Sequence, residues 1–423
     1  MISVNNQLGH TKFLIQDVAF IENGLHDTGA RNSLFVLNSS IISLVISQSQ
    51  VKKSKQRLLS IYSTWTEINV SHTTVDDFIN SWPRPHGGTF YVETGYGGVI
   101  YATARQNVAA SMKLTTKNSS FISNEATQGQ GGVIYLHKKA TSPFFVQVFI
   151  QNSLFEGNTA STGGCVSVQG VEFVLTGKNL TFTGNSAGGP GGVMNLIGAG
   201  VMRVSISHVL FKENAAMAGP GGVFYVTAPQ SSNDNSSLFN LTASHVQFVG
   251  NSAGVLGGVL YLELGFRSML VFNDVVFLKN TAEAAGPGGA IYATGDGNMY
   301  PSFQILIKRG RFENNTALVG GAIYVQRTSN AEFTSEDSIF RSNVAYLPGG
   351  ALYLQMLNST ITLVNTTFSN NTSVRQAGGA VYLDISDESK VHIALAKFER
   401  NYALHSFGAG LAISTSGDTL RES

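Results

Sequence analysis

The sequence predicts an all-β fold: a right-handed parallel β-helix solenoid of about 11–13 rungs that forms a single elongated domain. Three regularities predict it, and the first is a phenylalanine that recurs every 27 to 37 residues. Its ten copies are Phe121, Phe155, Phe182, Phe211, Phe248, Phe277, Phe312, Phe340, Phe368 and Phe398. A repeat of this length is typical of a solenoid, in which each unit buries its apolar face only against its neighbours.

The second regularity is an asparagine three residues after each of these phenylalanines. The ten copies are Asn124, Asn158, Asn185, Asn214, Asn251, Asn280, Asn315, Asn343, Asn371 and Asn401. Equivalent residues on adjacent rungs of a parallel sheet lie about 4.8 Å apart. We therefore expect the phenylalanines to form a buried aromatic column and the asparagines to form a ladder of amides where the chain turns.

The third regularity is a glycine pair, which follows nearly every phenylalanine by eight to eleven residues and opens a second strand. Counted from the first glycine, the fourth and sixth positions are apolar, as in Ile323 and Val325, whereas the fifth is usually tyrosine. This alternation predicts a strand whose apolar residues face inward and whose tyrosines face outward, where they stack on one another or on sugar rings. The tyrosines are Tyr101, Tyr135, Tyr225, Tyr261, Tyr292, Tyr324, Tyr353 and Tyr382; Ser167 and Asn195 interrupt the row.

We interpret residues 1–423 as one repeat domain, with irregular rungs and a lateral insertion over 31–120 and regular repeats over 121–423. The irregular part contains four apolar residues with the spacing of one helix face: Val75, Phe78, Ile79 and Trp82. They predict a short helix that ends before Pro83.

Composition excludes several classes of function. The net charge of +1, from 27 basic and 26 acidic residues, offers no electrostatic basis for binding nucleic acid. The single cysteine, Cys165, excludes a disulfide framework and a cysteine-based metal site, and we assign no metal or cofactor.

The sequence has neither a signal-peptide core nor an apolar run long enough to cross a membrane. Because the chain starts and stops inside the repeat pattern, we expect it to be part of a longer surface protein.

Eleven asparagines occur in Asn-x-Ser/Thr sequons, a weak indication of a secreted protein. Asn235 and Asn240 lie at the longest insertion between rungs, so we expect them to be accessible for glycosylation. Asn371 belongs to the asparagine column, so we expect it to be unmodified.

The repeat resembles that of the chlamydial polymorphic outer-membrane proteins. Phe312-Glu313-Asn314-Asn315, followed by Gly320-Gly321-Ala322-Ile323, carries the resemblance most clearly. The similarity covers residues 121–423 and, more weakly, 11–30. It implies a pectin-lyase-like β-helix that is displayed on the cell surface and takes part in adhesion.

We therefore expect a non-enzymatic extracellular or cell-surface scaffold that binds a protein or glycan through lateral loops. The alternative is a polysaccharide lyase or glycosidase, because the same fold carries such enzymes. Glu263 and Asp384, the acidic residues of the outward row beside the tyrosines, stand four rungs apart, or about 19 Å. Glycosidase carboxylates stand about 5–9.5 Å apart, so we assign no catalytic residue.

Overall fold

The computed structural model describes residues 110–138, 144–198, 200–227, 238–264, 267–283, 286–295, 303–386 and 388–415, with short segments between residues 2 and 104. The regular elements among these residues are all β-strands. The chain divides into two compact units, residues 1–210 with 214–217 and residues 211–213 with 218–423. The all-β parallel solenoid is confirmed, with about nine turns. The additional rungs of the prediction fall on the part before residue 110, of which only short segments are described.

Each turn contributes strands to three sheets, which we name by their order in the repeat. First-sheet strands contain the phenylalanine, second-sheet strands follow the asparagine, and third-sheet strands follow the glycine pair. Neighbouring turns pair in parallel and in register, so that Phe277 lies beside Phe312 and Phe312 beside Phe340. Like residues therefore stack on like.

In the first unit, the first-sheet strands are His10–Gln16, Ala19–Ile21, Ile41–Ser47, Gln50–Lys52, Trp65–Ser71, Thr74–Asp76, Ala110–Lys117, Ser120–Ile122, Phe144–Glu156, Glu172–Thr183 and Val201–Lys212, the last of which runs on past residue 210. The second-sheet strands are Ile79–Asn80, Glu125–Gln130, Thr159–Thr162, Ser186–Ala187 and Ala215–Ala216. The third-sheet strands are Phe90–Val92, Ile100–Ala104, Ile134–Lys138, Val166–Gln169 and Met194–Ile197. A separate three-stranded sheet consists of Ile2–Asn5, Ser33–Asn38 and Arg57–Tyr62.

In the second unit, the first-sheet strands are Leu238–Val249, Arg267–Leu278, Phe303–Lys308, Arg311–Glu313, Glu332–Glu336, Ile339–Arg341, Thr360–Val364, Thr367–Ser369, Lys390–Ala394 and Lys397–Glu399. The second-sheet strands are Ser252–Ala253, Thr281–Ala282, Thr316–Ala317, Val344–Ala345, Thr372–Ser373 and Tyr402–Ala403. The third-sheet strands are Phe224–Thr227, Leu260–Leu264, Ile291–Gly295, Ile323–Ser329, Leu352–Leu357, Val381–Ile385 and Leu411–Thr415.

The helix predicted around residues 75–82 is wrong. Thr74–Asp76 is a first-sheet strand in which Val75 lies beside Phe121, and Ile79–Asn80 is a second-sheet strand paired with Glu125 and Ala126. The four-residue spacing of Val75 and Ile79 thus spans two short strands, and pairing with the neighbouring turn of the solenoid satisfies their backbone groups. Phe78 and Trp82 lie outside the described residues.

The phenylalanines form an aromatic stack in each unit. Ring centroids lie 4.6 to 5.0 Å apart along Phe121, Phe155 and Phe182 in the first unit. The same spacing runs from Phe211 to Phe398 in the second unit. These side chains are at most 2% exposed, apart from Phe398 in the last described turn, which is half-buried. Parallel in-register pairing makes this packing possible, because it places equivalent residues of neighbouring turns about 4.8 Å apart, which suits stacked aromatic rings.

The asparagines form a buried amide ladder. The backbone N–H and the Nδ2 of Asn280 both donate to Oδ1 of Asn315, at 3.0 Å each. Nδ2 of Asn280 also donates to the carbonyl oxygen of Phe248, at 3.0 Å. This pattern recurs from Asn251 to Asn401 in the second unit. In the second unit, each amide from Asn280 to Asn371 is bonded to the turns on both sides, which avoids the cost of burying an unpaired polar group.

The first glycine of each pair adopts a left-handed conformation, with φ of 56° at Gly320. A Cβ on the second glycine, Gly321, would collide with the carbonyl oxygen of Gly350. The first glycine is needed for its conformation and the second for the close approach of two turns.

We expect Phe277→Ala to lower the free energy of unfolding by about 3–5 kcal/mol, the usual cost of the cavity left by a buried aromatic ring. Urea unfolding followed by circular dichroism measures it. Leu278→Ala is the matched control, because Leu278 is the next residue of the same strand but is only half-buried. Equal losses for the two variants would contradict a stabilising phenylalanine column.

Candidate functional site

The most regular outer feature of the second unit is a row of six tyrosines, which we name the tyrosine face. Its members are Tyr225, Tyr261, Tyr292, Tyr324, Tyr353 and Tyr382, which are in register on successive third-sheet strands. They face outward because their strand neighbours, such as Ile323 and Val325, are fully buried inside. Five of the six are only half-buried, and Tyr292 is buried.

The tyrosine rings stack on one another. Neighbouring centroids lie 4.8 to 5.3 Å apart, with interplanar angles of 6° to 22°. The faces of the inner rings are therefore covered by other tyrosines, and the rings turn their edges outward. Of the two arrangements considered for the row, mutual stacking is the one present.

A row of polar side chains runs beside the tyrosine face and is hydrogen-bonded to it. Tyr324 donates its hydroxyl proton to Oε1 of Gln326, at 2.6 Å. Nε2 of Gln326 donates to the hydroxyl oxygen of Tyr292 at 2.6 Å and to Oγ1 of Thr294 at 3.3 Å. These bonds hold the polar row and the rings in one arrangement, which lowers the entropy that a ligand contact would lose.

Burial raises the pKa of five tyrosines of this row, Tyr225, Tyr261, Tyr292, Tyr324 and Tyr353. Burial, reinforced by the charge of Asp384, raises the pKa of Tyr353 to about 12. Burial likewise raises the pKa of Tyr261 and, helped by the neighbouring tyrosines, that of Tyr324. At neutral pH these five tyrosines therefore present protonated hydroxyl groups.

In the first unit, Tyr135, Ser167 and Asn195 occupy the corresponding row and are more deeply buried. Ser167 and Asn195 occupy the outward position, but both are at most 1% exposed. Ser167 donates to Oε1 of Gln130 at 3.1 Å, and Nδ2 of Asn195 donates to Oγ of Ser167 at 3.2 Å and to Oγ1 of Thr162 at 3.3 Å. Strand parity still directs Ser167 and Asn195 outward. They are nevertheless buried, because Gln130 and Thr162, each of which directly precedes a glycine pair, form hydrogen bonds with them.

Three acidic residues of the second unit, Glu263, Asp274 and Asp384, accept hydrogen bonds from neighbouring side chains. Glu263 accepts a hydrogen bond from Thr227 at 2.9 Å, and Asp384 accepts one from Gln355 at 2.9 Å. Four strand spacings, or about 19 Å, separate Glu263 from Asp384. Asp274 accepts two bonds from Arg309, at 2.6 and 2.8 Å, which lower its pKa.

The part of the chain that the structure describes contains neither a metal-binding cluster nor an exposed cysteine. No group of three or more His, Cys, Asp or Glu side chains there could hold a metal ion. Cys165 is fully buried, and burial raises the pKa of its thiol well above the ordinary value. A buried, protonated thiol is a poor nucleophile.

The expected glycosylation residues differ in their surroundings. Asn235 lies outside the described residues. The expectation for Asn240 needs correction, because this residue belongs to the strand Leu238–Val249 beside Met269 rather than to a loop. It is half-buried and its Oδ1 is buried. Asn371 is fully buried in the ladder.

These observations define the class of protein: a parallel β-solenoid with a stacked aromatic core, a buried amide ladder and a repetitive outer surface. The family model described as the Chlamydia polymorphic membrane protein repeat matches residues 274–294, 310–326 and 365–384. Each matched segment contains one Phe-x-x-Asn sequence, the next glycine pair and the tyrosine of the third sheet. The chain therefore carries polymorphic membrane protein repeats.

Searches of curated proteins and of solved structures found no match. Among the described residues, no helix has the length and apolarity needed to cross a membrane.

We expect Tyr353→Phe to make the protein less sensitive to alkaline unfolding. The folded-state pKa of about 12 exceeds the ordinary value of about 10, so Tyr353 contributes stability that is complete below about pH 10 and is lost as the pH rises towards 12. The free energy of unfolding of the variant relative to the native protein should therefore rise between about pH 10 and pH 12. A difference that stays constant over this range would contradict the assignment.

Proposed function

We propose that this chain is a non-enzymatic scaffold at the cell surface or outside the cell, and that it functions in adhesion or display. The observation that carries the proposal is the match of three segments, 274–294, 310–326 and 365–384, to the polymorphic membrane protein repeat. On this proposal the chain is a part of a longer surface protein, and its ligand is a protein or a glycan.

The structure supports the proposal through the separation of inner and outer residues. The inner columns hold the turns together, whereas the outer positions and the connecting loops vary without disturbing them. The tyrosine face adds a contact surface that is ordered before any ligand binds. Stacked tyrosines supply a large contact area with few side-chain torsions to immobilise, a property of many protein-binding surfaces.

Binding of the purified chain to cultured cells and to a glycan array tests the proposal. We expect saturable binding that Tyr261→Ala and Tyr324→Ala each weaken by about tenfold, as for truncation of an important contact residue. Thr362→Ala is the matched control, because Thr362 faces outward on the first sheet. Binding that persists in both tyrosine variants would assign the contact to the loops, and absence of any binding would contradict the proposal.

We expect no cleavage of pectin or related acidic polysaccharides. The separation of Glu263 and Asp384 by about 19 Å is too large for a glycosidase pair, which needs about 5–9.5 Å. The measurement is the release of new chain ends after prolonged incubation. Glu263→Gln and Asp384→Asn should both behave like the native chain, and cleavage abolished by either substitution would refute the non-enzymatic assignment.

A further inference from the structure

One outer corner of the second unit consists of the residues that directly precede the ladder asparagines. The corner residues are Gly250, Lys279, Asn314, Ser342, Asn370 and Arg400, all with positive φ between 50° and 62°. This left-handed conformation is accessible to glycine and, among the other residues, is most favourable for asparagine. Because the next residue of each pair points into the ladder, the corner residue points away from it. Asn314 and Asn370 are accordingly exposed.

Both corner asparagines begin a sequon: Asn314-Asn315-Thr316 and Asn370-Asn371-Thr372. Within the described residues, their side-chain amides have no hydrogen-bond partner. Two other exposed sequon asparagines in this unit differ in this respect, since Nδ2 of Asn358 donates to Asn330 and Nδ2 of Asn365 donates to Asp337, both at 2.8 Å. Asn314 and Asn370 thus combine a sequon, exposure and an unengaged amide nitrogen.

The fold distinguishes two adjacent, overlapping sequons at residues 370 and 371. Nδ2 of Asn371 donates to Oδ1 of Asn401 at 3.0 Å and to the carbonyl oxygen of Phe340 at 2.9 Å. A glycan on this nitrogen would remove one of these bonds and place a sugar in a fully buried position. A glycan on Asn370 disturbs neither.

We propose that Asn314 and Asn370 are N-glycosylation sites, an inference that rests on the proposed location outside the cell. In the reaction, Nδ2 forms a bond to the anomeric carbon of an oligosaccharide carried on a polyprenyl pyrophosphate. The bond between that carbon and the pyrophosphate oxygen breaks, the lipid pyrophosphate leaves, and the amide nitrogen loses one proton.

The two sites lie on the same corner, two turns apart, which corresponds to about 10 Å along the strand-stacking direction. The corner joins the first sheet to the second, whereas the tyrosine face belongs to the third sheet. Glycans at these sites therefore cover a different side of the turn from the tyrosine face, so the modification is compatible with ligand binding there.

The test is expression of the full chain behind a signal peptide in eukaryotic cells, with an Asn-Gly-Thr sequon added to the C-terminus as a reporter of exposure to the glycosyltransferase. Enzymatic deglycosylation in heavy-oxygen water, followed by peptide mass spectrometry, marks each occupied asparagine. We expect label at Asn314, Asn370 and the reporter in the folded, secreted protein, and none at Asn371.

Two substitutions serve as matched controls. Thr316→Ala should remove the label from Asn314, and Thr372→Ala should remove it from Asn370 while leaving intact the sequon of Asn371, which ends at Ser373. Label at the reporter without label at Asn314 and Asn370 would overturn the inference, as would label at Asn371 in protein that is folded by circular dichroism.

Cell binding measured on the same preparation keeps the two proposals distinct. Empty sites with retained binding refute this inference alone, and occupied sites without binding refute the proposed adhesion alone.

Discussion

The buried asparagine ladder is the constraint on which the rest of the structure depends. Each asparagine in a turn donates from both its backbone and its side chain to the next asparagine and bonds back to a phenylalanine carbonyl, as in Asn280 with Asn315 and Phe248. A slip of one residue would turn each strand over and leave several buried polar groups unpaired at once. Aromatic stacking is less selective, because a ring tolerates displacement, whereas the amide bonds exist in one register only. The ladder thus sets the register, and the phenylalanines contribute apolar burial within it.

The outer surface follows from this inner register. Because Ile323 and Val325 point inward, Tyr324 between them must point outward, and equal registers in every turn bring the tyrosines into a stack. The left-handed residue before each ladder asparagine similarly places one side chain per turn on a corner. A repetitive interior therefore generates repetitive outer rows, and contacts within those rows, such as the bonds of Gln326 to Tyr292 and Tyr324, add to their order. Such a surface suits recognition, since its residues are free to vary wherever the interior stays the same.

The polymorphic membrane protein repeats and the geometry of the site favour the same class of function. The matched segments include residues of the core and also the tyrosine position, so the repeat defines an inner and an outer residue in each turn. Glu263 and Asp384 each have a neighbouring donor, Thr227 and Gln355 respectively, and stand four strand spacings apart. A glycosidase of the usual two-carboxylate type needs the pair within one or two rungs, and Glu263 and Asp384 are further apart than that.

The sequence by itself determined the fold class, because a solenoid repeats the same residue pattern in every turn. A repeat that departs from the pattern does not obscure it, since the other repeats still show it. Phenylalanine, asparagine and the glycine pair recur at nearly constant offsets, so their common surroundings can be deduced from pattern alone. The tertiary structure decided what happens where the pattern is not repeated. Val75 and Ile79 have helical spacing, yet pairing with Phe121 and Glu125 makes them strand residues. The sequence around Asn240 is typical of a loop, yet the strand begins at Leu238. Ser167 and Asn195 face outward, yet they are buried beside Gln130 and Thr162 of the second sheet. In each case the deciding contact is with a residue about 30 or more positions away, and local periodicity carries no information about such contacts.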